Sequence, residues 1–490
     1  MASILSFQIE VMSREMKSTQ VAVIGGGPGG YPAAFLAADL GLQVTLIDNE
    51  ANPGGVCLYR GCIPSKALLH AARVITEAKE ASNWGISFSD PVIDIDKLRN
   101  WKDNVVQKMT GGLGQLSKHR RIDYIQGRAK FSDKKTLEIQ NQNGSELLSF
   151  ENVIIATGSR PANLPNLSID SPRLLDSTSG LDLPDVPKNM LVVGGGYIGL
   201  ELGTVYAALG TKVSVVEMTS GLMPGVDRDL VLVLSKRLEK IFDSIMLDTK
   251  VIDMNEEASG IRVKLEGSNV KSSEQIFEKV LVSVGRRPNS ENLGLENTRV
   301  KTDSKGFIEV DEQRRTSEPT IFAIGDVAGE PMLAHKATHE GRVAAGVIAG
   351  HNVAFEPTAI PAVVFTDPEI SWCGLTETDA KMENRPVKIA RFPWGASGRA
   401  TTLDRNDGVT KLIIDPETER ILGVGIVGTG AGELIAEGVL AIEMGANVAD
   451  LKLTIHPHPT LSETIMESAE VFFGQSTHVY RPKKVKVEKG

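Results

Sequence analysis

Two of the three cysteines lie five positions apart in the stretch GGVCLYRGCIPSK, residues 54–66. In a regular α-helix, five positions advance about 7.5 Å along the axis, whereas a disulfide requires Cα atoms roughly 4.4 to 6.8 Å apart. Cys57 and Cys62 can therefore form a bridge only across a distorted turn. Gly61 supplies the freedom for that turn, and Pro64 suits the first turn of a helix that begins just after the second thiol.

Three interpretations of this pair remain open from the stretch alone: a redox-active dithiol, two inert buried thiols, or part of a zinc site. Structural disulfides are rare in cytosolic proteins, and structural zinc takes four ligands. Cys373 is too isolated in the sequence to suggest a second half-site. The pattern therefore favours the redox-active pair, with inert thiols as the second interpretation.

The composition is that of a globular protein of several domains. The 490 residues predict two to four domains with an ample core. A net charge of −9 and an aromatic content of 5% argue against nucleic acid or an anionic membrane as the main partner. We expect neither partner, and we interpret the basic tail, residues 481–490, as a solvated end.

The N-terminal extension, residues 1–18, fits neither a signal peptide nor a good transit peptide, because it contains Glu10 and Glu15 and only short apolar runs. Apolar runs elsewhere stay well short of the roughly 18 residues that a membrane span needs. We therefore expect a cytoplasmic protein with no membrane span. Met12 and Met16 remain alternative translation starts.

The segment QVAVIGGGPGGYPAAFLAADLGLQVTLID predicts a buried strand, a glycine turn, a helix of small residues and a second strand that ends at Asp48. Gly25, Gly27 and Gly30 fill the GxGxxG frame that begins a Rossmann fold. These glycines permit a tight turn, close approach to a pyrophosphate and close packing of helix on strand. The N-terminus of the helix then faces the phosphate charge.

The same pattern returns 169 residues later in NMLVVGGGYIGLELGTVYAALGTKVSVVE. Its glycines are Gly194, Gly196 and Gly199, and its terminal acid is Glu217. Both terminal acids follow the first glycine of their frame by 23 residues, and an acid at this position typically binds a ribose. A single glycine frame also occurs in plain α/β packing, but two in register, each with an acid, predict two dinucleotide sites.

Further ligand positions are predicted where apolar strands end, because open α/β sheets bind ligands at those ends. Such strands end at Gly158, Gly285 and Asp326. An ordinary strand-to-loop turn is the alternative at the two glycines, whereas an acid that closes an apolar strand is available to a cofactor hydroxyl.

From about residue 357 the pattern becomes mixed α+β. The long apolar helix in this region suggests a core or a subunit interface.

Together these motifs resemble the FAD-dependent pyridine nucleotide-disulfide oxidoreductases, most closely the bacterial dihydrolipoamide dehydrogenases. The resemblance runs from about residue 19 to 480 and rests on GGVCLYRGCIPSK, the doubled glycine frame, IFAIGDV, MLAHKA and HPHPTLSET. It implies an α/β fold of two Rossmann-like domains, for FAD and NAD, and a C-terminal α+β dimerisation domain. We predict residues 19–160 and 287–356 for the FAD-binding region, 161–286 for the NAD-binding domain and 357–480 for the dimerisation domain.

The resemblance also implies the cofactor-binding residues. For FAD they are Gly25, Gly27, Gly30, Asp48, Lys66, Gly127, Gly158, Asp326 and Ala334; for NAD they are Gly194, Gly196, Gly199 and Glu217, with Gly285 as a further cofactor-binding position. Cys57 would be the interchange thiol, which exchanges with substrate, and Cys62 the charge-transfer thiol beside the flavin. Lys66 and Glu201 match the ion pair that the family places beside the flavin ring.

His458 matches the catalytic base of the family and Glu463 the acid that orients it, and both are expected to reach the active site of the partner subunit. A metal site is the rival interpretation for His456 and His458, but two histidines with no cysteine or further histidine nearby make a poor ligand set. We interpret His456 as structural.

Many relatives have LNVGC between the thiols, so Tyr59 and Arg60 are a departure from their sequence. Arg60 either favours a thiolate nearby or points to solvent.

The implied function is oxidation of dihydrolipoamide on lipoyl domains through a Cys57–Cys62 disulfide and FAD, with reduction of NAD to NADH. The implied partners are a second copy of the chain, with shared active sites, and the E2 acyltransferase of a 2-oxoacid dehydrogenase complex. Alternatives are a glutathione- or mercuric-reductase-like enzyme and a catalytically silent flavoprotein scaffold. Glu217 would repel the 2′-phosphate of NADP, and the C-terminal tail lacks the cysteine pair of mercuric reductase. The sequence leaves open which 2-oxoacid or glycine-cleavage complex is served.

Overall fold

The structure, a computed structural model, describes residues 16–162, 167–267, 270 and 272–480. Residues 1–15 of the predicted extension and the predicted basic tail lie outside these ranges. Among the described helices, none combines the length and the apolar character that a membrane span requires.

The first module contains a seven-stranded sheet in the order β3-β2-β1-β6-β5-β4, with a later strand also paired to β6. The inner strands β3, β2, β1 and β6 run parallel, while the first half of β6 pairs antiparallel with β5. Its elements are β1 (Lys17–Ile24), α1 (Gly30–Asp39), β2 (Val44–Asp48), α2 (Gly55–Arg60), α3 (Cys62–Glu80), α4 (Ile95–His119), β3 (Asp123–Gln126), β4 (Arg128–Asp133), β5 (Thr136–Asn141), β6 (Gly144–Ile155) and β7 (Ser159–Pro161).

The second module repeats the parallel arrangement in a five-stranded sheet of order β11-β10-β9-β15-β8, and adds an antiparallel sheet of β12, β13 and β14. Its elements are β8 (Leu174–Leu175), β9 (Asn189–Val193), α5 (Tyr197–Ala208), β10 (Lys212–Val216), α6 (Arg228–Ile241), β11 (Ser244–Met246), β12 (Thr249–Glu257), β13 (Gly260–Gly267), β14 (Glu274–Phe277), β15 (Lys279–Val282) and β16 (Arg286–Pro288).

Strands β7 and β16 pair with each other as a short antiparallel ribbon. The chain leaves the first module through β7 and returns through β16, so the predicted boundaries at residues 160 and 286 fall in this ribbon. The chain then supplies the seventh strand of the first sheet, β17 (Ile321–Ala323), and α7 (Ala334–Ile348), which packs against α1.

The third module is a five-stranded antiparallel sheet in the order β18-β19-β22-β21-β20, against which α10 and α12 pack. The predicted α/β fold with two Rossmann-like domains and an α+β C-terminal domain is thereby confirmed. The elements are β18 (Ala362–Val364), β19 (Glu369–Gly374), α8 (Glu377–Met382), β20 (Lys388–Pro393), α9 (Gly398–Thr402), β21 (Val409–Ile414), β22 (Ile421–Gly428), α10 (Ala431–Glu443), α11 (Val448–Leu453) and α12 (Glu463–Phe473).

The two glycine frames have the same backbone geometry. Gly25 and Gly194 have φ angles of +101° and +104°, in the left-handed region that L side chains rarely adopt. A Cβ atom on Gly30 would lie 1.8 Å from the carbonyl oxygen of Gly25, and one on Gly199 would lie 2.6 Å from that of Gly194. In each frame the first glycine therefore makes the turn, and the last allows the helix to pack on it.

A buried ionic cluster joins the second module to the third. The ammonium of Lys411, on β21, lies 2.6 Å from Asp227, 2.7 Å from Asp229 and 2.8 Å from Glu377. These carboxylates are close enough together to hold a metal ion, but the fully buried Lys411 already lies among them. Arg391 pairs with two of the same carboxylates from a more exposed position.

We predict that Lys411→Met lowers the free energy of unfolding by about 3 kcal/mol, because it leaves the buried carboxylate of Asp227 without its cation. The midpoint of urea unfolding, followed by circular dichroism, measures the effect. Arg391→Met is the matched control: its side chain is 39% exposed, so its loss should cost less than about 1 kcal/mol. A Lys411→Met protein that unfolds at the wild-type midpoint would show that the cluster does not stabilise the junction.

Candidate active site

The two cysteines lie on either side of a break between two helices. Helix α2 ends at Arg60 and α3 begins at Cys62, one residue earlier than predicted, with Gly61 between them. A Cβ atom on Gly61 would lie 2.9 Å from the carbonyl oxygen of Val56 and 3.3 Å from Cα of Cys57. The carbonyl of Val56, just before the first thiol residue, therefore approaches this position too closely for a side chain without a shift of the backbone. This is the distorted turn that the spacing of the cysteines requires.

Cys57 and Cys62 lie close enough together for their ionisations to be coupled. The neighbouring Cys62 sulfur and burial raise the pKa of Cys57 above the ordinary thiol range. The neighbouring Cys57 thiol lowers the pKa of Cys62 to about 7, against the opposing effect of desolvation and with help from the charge of Lys66. The direction of the two shifts favours the charge on Cys62 and the proton on Cys57.

Cys57 and Cys62 line a cavity of about 380 Å³ that also contains many of the predicted site residues. A second cavity of about 420 Å³ adjoins it and shares Gly25 and Asp48. Gly127 lines the second cavity, while Gly30 lies behind the glycine turn. The remaining predicted residues that line the first cavity are Gly27, Lys66, Gly158, Glu201, Asp326 and Ala334.

Lys66 and Glu201 form the predicted ion pair, at 2.8 Å. Lys66 lies on α3 one turn after Cys62, and Glu201 is a buried residue of α5. The other oxygen of Glu201 accepts a hydrogen bond of 2.9 Å from the backbone N–H of Phe365, whose ring centre is 4.5 Å from the Lys66 ammonium. All three modules thus meet beside the thiols, and no motif in the sequence predicts the contact with Phe365.

Asp326 does not close a strand as predicted, since β17 ends at Ala323. It lies in a short 3₁₀ turn, Gly325–Ala328, where Gly325 has a φ of +72°. A buried carboxylate of α7, Glu340, accepts a hydrogen bond of 2.6 Å from the N–H of Gly325 and thereby fixes the turn. Asp326 faces the cavity from this turn rather than from a strand end.

Two residues absent from the sequence-based prediction orient the Asp326 carboxylate. The Nε–H of Arg286 donates to the hydroxyl of Ser159 at 2.7 Å, and that hydroxyl donates to Asp326. An arginine N–H can only donate, so the proton of the serine hydroxyl must be directed at the carboxylate. The only sequence signal for Arg286 is its position directly after Gly285.

The second frame presents a similar acid. Glu217 accepts hydrogen bonds from the N–H of Gly195 at 2.7 Å and from the N–H of Thr219 at 2.9 Å. Among the described residues, apart from its chain neighbours, no atom lies within 4 Å of a Cβ atom placed on Gly196, so the backbone there is open to a ligand. Gly285 is exposed, with a φ of +114°.

His458 and Glu463 form a pair about 400 residues after the thiols in the sequence. His458 lies between α11 and α12, and Glu463 is the first residue of α12. Nδ1 of His458 lies 2.9 Å from the Glu463 carboxylate, and the imidazole is 74% exposed. Burial opposes ionisation of Glu463, but hydrogen bonds from the N–H of Thr460 and from His458 hold its pKa below the ordinary value. Of the described residues, neither member of this pair lines the thiol cavity. His456 is held by Glu437 at 2.7 Å.

We predict that Cys57→Ala raises the pKa of Cys62 from about 7 toward the ordinary thiol range, because the thiolate loses its hydrogen-bond donor. A pH titration of the thiolate ultraviolet absorbance of the reduced protein measures it, with Cys62→Ser as the blank. Cys57→Ser is the matched control, since its hydroxyl still donates and the shift should be smaller. An unchanged midpoint in Cys57→Ala would remove the thiol–thiol hydrogen bond as the cause.

Comparison with known proteins identifies two family regions in the chain. Residues 19–341 match the pyridine nucleotide-disulphide oxidoreductase family, and residues 360–469 match the dimerisation domain of the same family. The chain is 48% identical over 475 residues to dihydrolipoyl dehydrogenase of Vibrio cholerae, covering 97% of this chain and 100% of that protein. It is 49% identical over 467 residues to dihydrolipoyl dehydrogenase of Haemophilus influenzae, covering 95% and 97%.

Solved structures agree with these matches. LpdA from Mycobacterium tuberculosis superposes with a TM-score of 0.85 at 26% identity, covering 92% of this chain and 99% of that one. The flavoprotein disulfide reductase RclA from Escherichia coli, solved as a Cu(II) complex, gives 0.83 at 26% identity, covering 93% and 99%. The extent of these matches and the pair of cysteines in one cavity lead to one conclusion: the chain belongs to the pyridine nucleotide-disulphide oxidoreductase family.

Proposed function

We propose that this chain is a flavin-dependent dihydrolipoyl dehydrogenase, which oxidises dihydrolipoamide carried on lipoyl domains and reduces NAD to NADH. The observation that carries the proposal is the pair of cysteines, Cys57 and Cys62, in the wall of one cavity next to the Lys66–Glu201 ion pair. The near-identical length and the 48% identity to a dihydrolipoyl dehydrogenase support the choice of substrate. The E2 acyltransferase of a 2-oxoacid dehydrogenase complex is the proposed source of the lipoyl group.

The residues around the thiols fit FAD. The two adjoining cavities share several lining residues, and together they offer the elongated space that a dinucleotide needs. At Gly27 a Cβ atom would meet only Cα of Gly55, at 3.8 Å, so the backbone is open to a diphosphate. Asp48 would hold the adenosine ribose, and Asp326, oriented by Ser159, a hydroxyl near the flavin. We propose that residues 19–160 and 287–356 form the FAD-binding region.

The residues of the second frame fit NAD. The N-terminus of α5 and the open backbone at Gly196 suit a diphosphate, and Glu217 suits the two hydroxyls of a ribose. A carboxylate at that position disfavours the 2′-phosphate of NADP, which argues against a glutathione-reductase-like enzyme. We propose residues 161–286 as the NAD-binding domain.

The chemistry assigned to the chain is thiol–disulfide exchange. A base takes the proton of one substrate thiol, and the thiolate attacks Sγ of Cys57, breaking the Cys57–Cys62 bond. Cys62 leaves as a thiolate, which its lowered pKa favours. The second substrate sulfur then displaces Cys57, which takes a proton back from the base, while one proton passes to solvent. FAD, when bound, transfers the electron pair of the dithiol to NAD as hydride.

We propose that the base is the partner subunit's His458 and that each active site is shared between two chains. In a single chain the imidazole is exposed at the surface, with its Nδ1 fixed by Glu463 and Nε2 left to accept a proton. Exposed apolar side chains lie on the same module and suit a covering second copy. They are Leu440 and Met444 on or next to α10, and Leu453 and Ile455 just before the histidine. We propose residues 357–480 as the dimerisation domain.

We predict that Gly196→Ala raises KM for NAD at least about tenfold while leaving the unfolding temperature nearly unchanged. Its Cβ would contact no other part of the chain that the structure describes, but it would occupy the proposed diphosphate site. Steady-state kinetics and a thermal melt of the same preparation measure the two effects. Gly199→Ala is the contrasting variant, because its Cβ would meet the backbone at 2.6 Å and should lower the unfolding temperature. A Gly196→Ala protein with wild-type KM would contradict the assignment of this frame to NAD.

We predict that His458→Ala slows dihydrolipoamide oxidation by roughly 10²- to 10⁴-fold, while NADH oxidation with an artificial dye stays largely intact, because only thiol deprotonation needs the base. Glu463→Gln should keep the fold but slow the reaction less, since the imidazole loses only its orienting carboxylate.

Mixed dimers of His458→Ala and Cys57→Ser chains test whether the site is shared. Neither parent homodimer has a complete site, but a mixed dimer has one site with both intact cysteines and an intact partner histidine. About half of the wild-type activity per mixed dimer is expected. Purified mixed dimers that are no more active than either parent would contradict the shared-site proposal.

A further inference from the structure

The orientation of Asp48 depends on the backbone of Glu50. One carboxylate oxygen of Asp48 accepts the N–H of Gly26, and the other accepts the N–H of Glu50 at 2.9 Å. The second glycine frame has the same arrangement 169 residues later, where Thr219 takes the place of Glu50 beside Glu217. In both frames the residue two positions after the acid therefore holds that acid in place.

The two frames differ in the side chain at this position. The hydroxyl of Thr219 donates to Glu217 at 2.8 Å, whereas Glu50 places a second carboxylate next to Asp48. Both carboxylates line the cavity in which an anionic diphosphate would bind. Arg60 lines the same cavity and donates a hydrogen bond to the Glu50 carboxylate. The guanidinium thus compensates a charge that the second frame does not have.

Tyr59, the neighbour of Arg60, also contacts the segment of residues 49–54, at Asn52. Its hydroxyl donates to the carbonyl of Asn52 at 3.0 Å and accepts from the N–H of Asn52 at 3.3 Å. Tyr124, on β3, donates to the carbonyl of Glu50 at 2.8 Å. Helix α2 therefore fastens residues 49–54 through side chains that lie between the two cysteines.

We infer that Tyr59 and Arg60 are positioning residues for the cofactor site. They hold residues 49–54, and so Asp48, in place for the adenosine ribose of FAD, and Arg60 offsets the charge of Glu50 near the diphosphate. The inference rests on the proposed function. It assigns a role to the departure from the LNVGC sequence of many relatives: the Arg60 guanidinium is directed at Glu50, neither at the thiols nor only at solvent.

The test is the dissociation constant of FAD, measured by flavin fluorescence on reconstituted apoprotein. Arg60→Val should raise it roughly five- to tenfold, because Glu50 is left as an unpaired carboxylate beside an anionic ligand. Arg60→Lys keeps the charge and should stay within about twofold of wild type. Adding Glu50→Gln to Arg60→Val should restore binding to within about twofold, since the carboxylate that needs a cation is gone. Tyr59→Phe should weaken binding by a smaller factor.

The pattern of rescue separates this role from a merely structural one. A structural role would lower the unfolding temperature of Arg60→Val and of the double variant alike, with no recovery of FAD binding. Equal FAD affinity in wild type and Arg60→Val, or failure of Glu50→Gln to rescue, would overturn the inference. A wild-type chain that binds no FAD would instead refute the proposed function itself. KM for NAD should not change in any of these variants.

Discussion

The proximity of Cys57 and Cys62 is the constraint on which the rest of the site depends. Five residues of continuous helix would hold these sulfurs apart, so the chain has to break between α2 and α3. Gly61 makes the break possible, because no side chain fits against the backbone of Val56 and Cys57. Once the two thiols are neighbours, each shifts the pKa of the other, upward at Cys57 and downward at Cys62.

The surrounding charges keep this arrangement in place across the three modules. Lys66, one turn after Cys62, stabilises the thiolate and is itself paired with Glu201 of the second module. Glu201 in turn accepts a hydrogen bond from Phe365 of the third module. The Lys411 cluster fastens the second and third modules at another point. A change in the packing of any one module would therefore reach the thiols.

Features set by local spacing were predictable from the sequence. The two glycine frames, their terminal acids and the need for a broken helix between the cysteines all follow from residues within about thirty positions of each other. Interactions between distant residues were not predictable. Ser159 and Arg286 are 127 positions apart, and neither carries a motif that announces its contact with the other. Asp326 was expected at a strand end because the sequence does not reveal Glu340, which fixes the turn from α7.

The most direct test of the account is a count of thiols in the denatured chain before and after anaerobic treatment with dihydrolipoamide. The chain has three cysteines, and Cys373 is buried in β19, where burial raises its pKa to about 12. One thiol per chain is expected in the oxidised holoenzyme, and three are expected after treatment with dihydrolipoamide. The count should return to one when NAD is added, with one NADH formed per chain. A thiol count that does not change on addition of dihydrolipoamide would contradict a Cys57–Cys62 disulfide as the electron acceptor.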